Sequence, residues 1–308
     1  MKLLGIDIGG TKCAVVLGDE KGNIYEKTSF ETGSAEYSIN KITEIAQSCS
    51  GFEKIGISCG GPLDAERGII MSPPNLPGWD NIPICDMLTE KFGVGCRLEN
   101  DANACAAAEW LFGAGRGTKN MIFLTFGTGM GAGLILDGKL YRGTNGNAGE
   151  IGHVRLAEYG PVGYGKAGSA EGFCSGGGIA RIGRMMAEEK LQRGMNVSYC
   201  KNAAELENIT AKSIARYANE GNEDACEVYR LSGEKLGSML ALLIDLLNPE
   251  KIVIGSIFAR AQNLLWQHAK KVIDREALEF SAAVCSVVPA ELGDTIGDRA
   301  AIALASME

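Results

Sequence analysis

The chain has 308 residues, 45% of them hydrophobic and 22% charged, with a formal net charge of −8. That length accommodates two domains of ordinary size, and the composition is that of a globular protein. The acidic balance argues against a broad basic surface for nucleic acid. No apolar run approaches the roughly 18 residues that a bilayer crossing needs.

The start, Met1-Lys2-Leu3-Leu4, runs straight into an apolar strand, which leaves no room for a signal peptide. Ten cysteines are scattered without C-x-x-C or C-x-C spacing, several of them within apolar strands or an Ala-rich helix. They read as reduced core thiols of a cytoplasmic protein, with no disulfide framework and no zinc cluster.

In chain order, Leu3 to Leu17 reads strand, glycine turn, strand, with the turn at Gly9-Gly10-Thr11-Lys12 and one acid, Asp7, in the first strand. Glycines at a turn let backbone N–H groups approach an anion. A carboxylate in a buried strand is costly without a partner, and Mg²⁺ with its waters is a natural one. An ordinary hairpin with an end-of-strand Asp fits this stretch equally well. Ile24 to Phe30 reads as a third strand, and Tyr37 to Cys49 has helical spacing at Ile39, Ile42, Ile45 and Ala46. Lys54 to Cys59 is a short buried strand running into Gly60-Gly61-Pro62, and Ile69 to Pro83 is a Pro- and Asn-rich loop containing Asn75. A helix over Ile84–Phe92 and a strand over Cys96–Leu98 lead to Glu99-Asn100-Asp101 and an Ala-rich helix from Ala102 to Phe112. Asp101, just before that helix, is expected as its N-cap. A carboxylate at the carboxyl edge of a strand can also serve as general base, and the two roles are compatible.

The first hairpin has an echo about 120 residues on: Met121 to Gly138 again reads strand, glycine turn (Gly127-Thr128-Gly129-Met130-Gly131), strand. Two such hairpins facing across a cleft could grip a triphosphate from both sides. Lys139 to Arg142 is a third strand. The glycine-rich run Gly143 to Gly178 is too poor in apolar residues to build core and is expected to wrap a ligand. It carries Glu150, Glu171 and His153, one of only two histidines. A lone His is more often structural than a ligand, but here it follows a Glu by three in a glycine loop. Helices follow over Ser175–Lys190, Thr210–Glu220 and Asn222–Leu247, with Thr210 and Asn222 suited to N-caps. Lys251–Ile254 is a strand ending in Gly255-Ser256. Ala259–Leu278 reads as a helix, Val284–Val288 as a strand and Asp298–Ser306 as a closing helix.

Together these residues resemble the ROK family (repressor, open reading frame, kinase) of the actin-like ATPase and sugar-kinase superfamily, over essentially the whole chain. Asp7-Ile8-Gly9-Gly10-Thr11-Lys12 is similar to the family's first phosphate motif, and Thr125–Gly131 to its second. Glu99-Asn100-Asp101-Ala102-Asn103 resembles the catalytic segment, Gly149-Glu150-Ile151-Gly152-His153 the sugar-binding signature, and Ile252–Gly255 the segment beside adenosine. The resemblance implies an α/β fold of two duplicated actin-like ATPase (ribonuclease H-like) domains flanking a cleft. The expected division is a small domain over 1–113, with a C-terminal helix 294–308 packing back on it, and a large domain over 114–293.

It further implies a glucokinase-like, ATP-dependent transfer of phosphate to a hexose or amino-sugar hydroxyl, most simply O6. Asp101 takes the position of the base. Gly61, Asn75, Asn100, Glu150, His153 and Glu171 take the positions of sugar contacts. Gly9, Gly10, Thr11, Gly127, Thr128, Gly129 and Gly255 flank the nucleotide, with Lys12 at most an accessory, and Asp7 holds Mg²⁺ through water. A homodimer is implied at family level only. A non-catalytic sugar sensor of the same family is the alternative. The family's repressors carry a DNA-binding module ahead of the first phosphate motif, for which six residues before Asp7 leave no space.

One departure stands out. The family's C-x-C-G-x-x-G-C-x-E run, whose cysteines hold a structural Zn²⁺ with the histidine, aligns with Val162 to Glu171. Val162, Tyr164 and Ser169 stand where the thiolates would be. One His cannot make a closed tetrahedral site, so no zinc is expected, His153 is freed to hydrogen-bond, and Tyr164 is expected to pack in place of the metal.

Overall fold

A computed structural model describes residues 1–307. In chain order the strands and helices are β1 (Lys2–Ile8), β2 (Lys12–Asp19), β3 (Ile24–Glu31), α1 (Ala35–Ser48), β4 (Lys54–Cys59), β5 (Leu63–Asp64), β6 (Ile69–Ile70), α2 (Ile84–Phe92), β7 (Gly95–Asn100) and α3 (Asp101–Phe112). They continue with β8 (Met121–Phe126), β9 (Met130–Leu136), β10 (Lys139–Tyr141), β11 (Val162–Gly163), β12 (Lys166–Ala167), α4 (Ala170–Phe173), α5 (Gly176–Gln192) and α6 (Ala211–Asn219). The last are α7 (Glu223–Leu247), β13 (Lys251–Ile254), α8 (Ile257–Glu276), α9 (Glu279–Val284), β14 (Ser286–Pro289) and α10 (Ile296–Ser306). Among the described residues no helix is long and apolar enough to cross a membrane.

The internal repeat is visible in the sheets. One runs β3-β2-β1-β4-β7 and the other β10-β9-β8-β13-β14, so each has the order third, second, first, fourth, fifth. Three strands meander antiparallel, then parallel strands follow: β1 with β4, β4 with β7, and β13 with β14. This is the duplicated α/β order of actin-like ATPases, and it brings the glycine turn of each first hairpin to the same edge of its sheet. By contact density the chain forms two compact units, one of Met1–Phe123, Gly133–Ala148 and the chain from Glu291 on, the other of Leu124–Ala132 and Gly149–Ala290. Since each five-stranded sheet lies wholly on one side of residue 113, we propose 1–113 and 114–293 as the bounds of the repeat itself.

In the first unit β1, β2 and β4 are buried on both faces and read as near-continuous apolar runs. Leu4, Ile6, Ile8, Ile42, Ile55 and Ile57 form one side of that core. Helix α1 starts two residues before its apolar spacing suggests, because the Ser34 hydroxyl accepts from the Tyr37 N–H at 3.2 Å. Helix α10 covers the other side of the sheet. A Cβ on Gly56 would stand 2.1 Å from the Ala301 carbonyl, so the strand carries glycine where the helix backbone crosses it. Ile302 and Leu304 are fully buried there, each contributing about 1.5–3 kcal/mol by area. Ala104, Ala107 and Ala108 of α3 meet Ala300 and Ala303 of α10, a small-residue contact that lets the helices approach closely.

In the second unit Asn222 caps α7 by accepting from the Ala225 N–H, and Thr210 forms a reciprocal capping box with Ser213 on α6. Two expectations from sequence are corrected. The glycine-rich run 143–178 does contribute to the core: Ile151, Ala170, Phe173 and Cys174 are buried. Helix α9 occupies Glu279–Val284, so β14 starts at Ser286 and not at Val284. All ten cysteines are free thiols.

Candidate functional site

The first unit gathers carboxylates around its glycine turn. Asp7 sits in β1 opposite Ser58 of β4, whose hydroxyl donates to it. Burial, then the nearby Asp298, then Asp101, push the Asp7 carboxyl up to about 6; the Ser58 bond opposes them. Asp298 lies in the first turn of α10, tethered to Lys27 at 2.7 Å. Neither Asp298 nor Ser58 carries a motif, and only the sheet register and the return of α10 bring them to Asp7.

The Asp101 expectation needs a correction that sharpens it. Asn100, not Asp101, caps α3: its Oδ1 accepts from the Asn103 N–H at 2.8 Å. Asp101 is the first helical residue, and its Oδ1 accepts from the Ala102 N–H at 2.8 Å. The cap moves by one residue because β7 keeps Asn100 extended, paired opposite Cys59. Asp101 is solvent-accessible, yet the protein around its carboxyl desolvates it and raises its pKa, against the bonds from the Ala102 N–H and its own N–H. Beneath this segment Glu99 is fully buried, paired with Arg142 and accepting from Asn103 Nδ2 at 3.1 Å. Arg142 was not foreseen, since 43 residues separate the partners.

Within the first turn the Gly9 N–H is already committed to the Lys12 carbonyl at 3.1 Å. That removes Gly9 from the expected cradle and leaves the N–H groups of Gly10 and Thr11. A Cβ on Gly10 would stand 2.7 Å from the Asn75 carbonyl, so this glycine is required by the 75 loop packed on it. Asn75 also comes within 3.4 Å of a Cβ on Gly60. Gly61 precedes Pro62 across a cis peptide beside the same loop. Lys12 is exposed, as a solvated side chain would be.

The second unit's turn closes the same way: the Gly127 N–H donates to the Gly129 carbonyl at 3.2 Å, leaving Thr128 and Gly129. Its neighbours are of both charges, but the cavity beside it is lined by cations only. The Gly176 N–H at the start of α5 donates to the Gly127 carbonyl at 2.8 Å, and Gly177 reaches the Thr128 carbonyl at 3.4 Å. A cavity of about 500 Å³ opens beside the turn. The first residues of three helices line it: Gly176 and Gly177 of α5, Ala211 and Lys212 of α6, and Ile257 of α8 after Ser256. Their amide ends carry partial positive charge. Arg184, Lys212 and Arg260 also line it, and no carboxylate does. Ser256 holds φ of +52°, uncommon for a residue with a side chain. Gly255 is buried and donates to the Leu124 carbonyl at 2.9 Å. The sequence shows a helix over Ser175–Lys190, but neither the Ser175 cap nor the alignment of the helix start on the glycine turn.

The predicted sugar group divides. Glu171 is held against the same turn, its Oε2 accepting from the Met130 N–H at 3.1 Å. Glu150 is exposed, and the Gly149 carbonyl just before it accepts from the Ala132 N–H at 2.8 Å. His153 is partly buried, with its ring centroid 5.1 Å from that of Tyr164 in an edge contact. Tyr164 itself is 77% exposed, which overturns the expectation that it packs in place of a metal.

The residues present do not fit zinc: beside His153 the donor positions hold Val162, Tyr164 and the serine hydroxyl of Ser169. They do fit Mg²⁺. A carboxylate destabilised by burial and by Asp298 and Asp101 would gain from a hydrated cation, which needs only one or two carboxylates. Among the described residues no group of three or more His, Cys, Asp or Glu side chains gathers as a metal site.

A model of the ROK family matches residues 3–308. The glucokinase of Thermotoga maritima is 34% identical over 282 residues, covering 89% of this chain and 88% of that protein. The crystal structure of a ROK family glucokinase from Streptomyces griseus in complex with glucose and AMPPNP matches with a TM-score of 0.75 at 30% identity, covering 99% of both chains. The xylose repressor of Caldicellulosiruptor bescii is 28% identical, over 89% of this chain and 70% of that protein. A family match that runs through both glycine turns, the Glu99–Asp101 segment and the closing helix leaves one conclusion: the chain belongs to the ROK family.

Proposed function

We propose that this protein is an ATP-dependent sugar kinase that transfers the γ-phosphate to a hexose hydroxyl, O6 of glucose or a closely related sugar. The observation that carries the reading is the division of labour at the start of α3. Asn100 takes the cap and leaves the Asp101 carboxylate held by backbone N–H groups alone, with a raised pKa. Asp101 would accept the hydroxyl proton as the new P–O bond forms. Asn100 still has its amide donors for a sugar hydroxyl, since only its oxygen caps the helix. Gly61, Asn75, Glu150, His153 and Glu171 are the proposed remaining sugar contacts.

The free N–H groups of Gly10, Thr11, Thr128 and Gly129 would bind phosphate oxygens, with the Thr11 and Thr128 hydroxyls beside them. Gly255 and the cavity lined by Lys212 and Arg260 would take the rest of the nucleotide. Asp7 would hold Mg²⁺ through water, and the ion when bound neutralises charge on the transferred phosphate. Positioning does most of the work in such a loose transition state.

The similarity to glucokinases, one of them solved with glucose and AMPPNP, supports this choice of substrates. The similarity to a xylose repressor favours a second reading, a sugar sensor that does not catalyse. A coupled ADP-release assay with Mg-ATP and a panel of hexoses and amino sugars separates them. Release that depends on one sugar supports the kinase; calorimetric binding of a sugar without release supports the sensor. A cytoplasmic homodimer belongs to the same proposal, and light scattering would show a particle of twice 32.5 kDa.

A further inference from the structure

The family's zinc run survives here as a different construction. Strands β11 and β12 pair Val162 with Ala167 and Gly163 with Lys166 across a two-residue turn. The turn residues, Tyr164 at φ +42° and Gly165 at φ +77°, both lie in the left-handed region, as a type I′ hairpin requires. The hairpin is tied down from both sides. Lys166 Nζ donates to the His153 carbonyl at 2.7 Å, and the Arg155 guanidinium donates to the Ala167 carbonyl at 2.6 Å. The Gly168 N–H donates to the Pro161 carbonyl at 3.0 Å, and the Ala170 N–H to the Val154 carbonyl at 2.8 Å.

Ser169 stands at the centre. It is fully buried, and its hydroxyl bridges two segments. It accepts from the Gly172 N–H at 3.1 Å and donates toward the Gly163 carbonyl at 3.4 Å. The first bond fixes the turn α4, which carries Glu171; the second fixes the hairpin. Glu171 in turn accepts from the Met130 N–H in the glycine turn. A chain of bonds therefore runs from the hairpin through Ser169 and α4 to the turn proposed to hold phosphate.

We propose that Ser169 is a positioning residue that does with a hydroxyl what a thiolate–metal cross-link does elsewhere in the family. It holds Glu171 against Gly129 and Met130, and the loop needs no metal. Leaving the partners of a buried hydroxyl unpaired is costly.

The direct readout is amide hydrogen exchange at Met130, because the Glu171 bond protects that N–H whatever the protein binds. Ser169→Ala should speed exchange at Met130 about tenfold, matching Glu171→Ala, while β1–β4 stay as protected as in the wild type. Faster exchange confined to 162–172, with Met130 unchanged, would overturn the proposal. So would stoichiometric zinc in the purified protein, or loss of Met130 protection on adding 1,10-phenanthroline. If Ser169→Ala does not fold, the chelator experiment on the wild type decides.

The kinetic consequence rests on the sugar-kinase reading. Ser169→Ala should raise the sugar KM, or its calorimetric Kd, about tenfold, with the ATP KM within about twofold. Failure of that split with Met130 exchange still altered would count against the sugar role of Glu171, not against the positioning.

Discussion

The two glycine turns are copies in topology, but the pocket beside each carries a different charge. Each follows the first strand of a sheet with the same strand order, and each closes on itself by donating its first glycine N–H within the turn. Around the first lie Asp7, Asp101 and Asp298. At the second, Glu171 accepts from the Met130 N–H, while the cavity beside the turn is lined by three helix starts and the cations Arg184, Lys212 and Arg260, with no carboxylate. A duplicated scaffold thus supplies two backbone cradles of one shape, and side chains brought from distant sequence give each its chemistry. The acidic copy suits a proton acceptor and a cation; the basic copy suits an anion.

That contrast can be broken from either side. The largest effect is expected at Asp101. Asp101→Asn keeps the size and the bond from Ala102 but removes the base, and turnover should fall by about 10²–10⁴-fold while sugar binding by calorimetry changes little. Near-full activity would move the base elsewhere. On the basic side, Lys212→Met with Arg260→Met should raise the ATP KM by about tenfold or more, leaving the sugar KM unchanged. Equal effects on both would mean that the cavity does not belong to the nucleotide.

Asp7 gives a pH test with a definite sign. Its carboxyl rises from 3.8 to about 6 on folding, so the folded state keeps a proton that the unfolded state releases. Its ionisation therefore opposes folding as pH rises from about 4 to about 6, and the penalty persists above that. Asp7→Asn should raise the melting temperature of the metal-free protein at about pH 7, and the gain should vanish near pH 4. The affinity of the wild type for Mg²⁺ should fall as pH drops through about 6, where Asp7 of the metal-free protein protonates. A stability gain independent of pH would place the strain elsewhere. The smallest effect is the cap: Asn100→Ala should cost about 0.5–2 kcal/mol in a denaturant melt.

Much of this organisation was legible in the sequence because it is local. Alternating apolar and glycine runs marked both hairpins, and Thr210 and Asn222 marked their helix starts as capping residues must. The repeat followed from two similar turns. What could not be read was what arrives from afar. A C-terminal helix returning to the first domain was expected, but not that it sets Asp298 beside Asp7, and Arg142 reaches Glu99 only through the fold. The one-residue difference between Asn100 and Asp101 as cap depended on how far β7 stays paired with β4. In the glycine-rich run, composition suggested a loop without core. Short turns anchored by Ile151 and Phe173 build one all the same, and of the residues aligned with the thiolates Ser169 is buried while Tyr164 is exposed.

The central claim is transfer of phosphate from ATP to a sugar hydroxyl, and the most direct measurement is phosphorus NMR of the wild-type protein with Mg-ATP and glucose, repeated with other hexoses. The account predicts a phosphomonoester resonance split by the two protons on C6, growing as the γ-phosphate of ATP disappears, and absent with Asp101→Asn. Loss of ATP to inorganic phosphate alone, or no change with any sugar that binds, would contradict it.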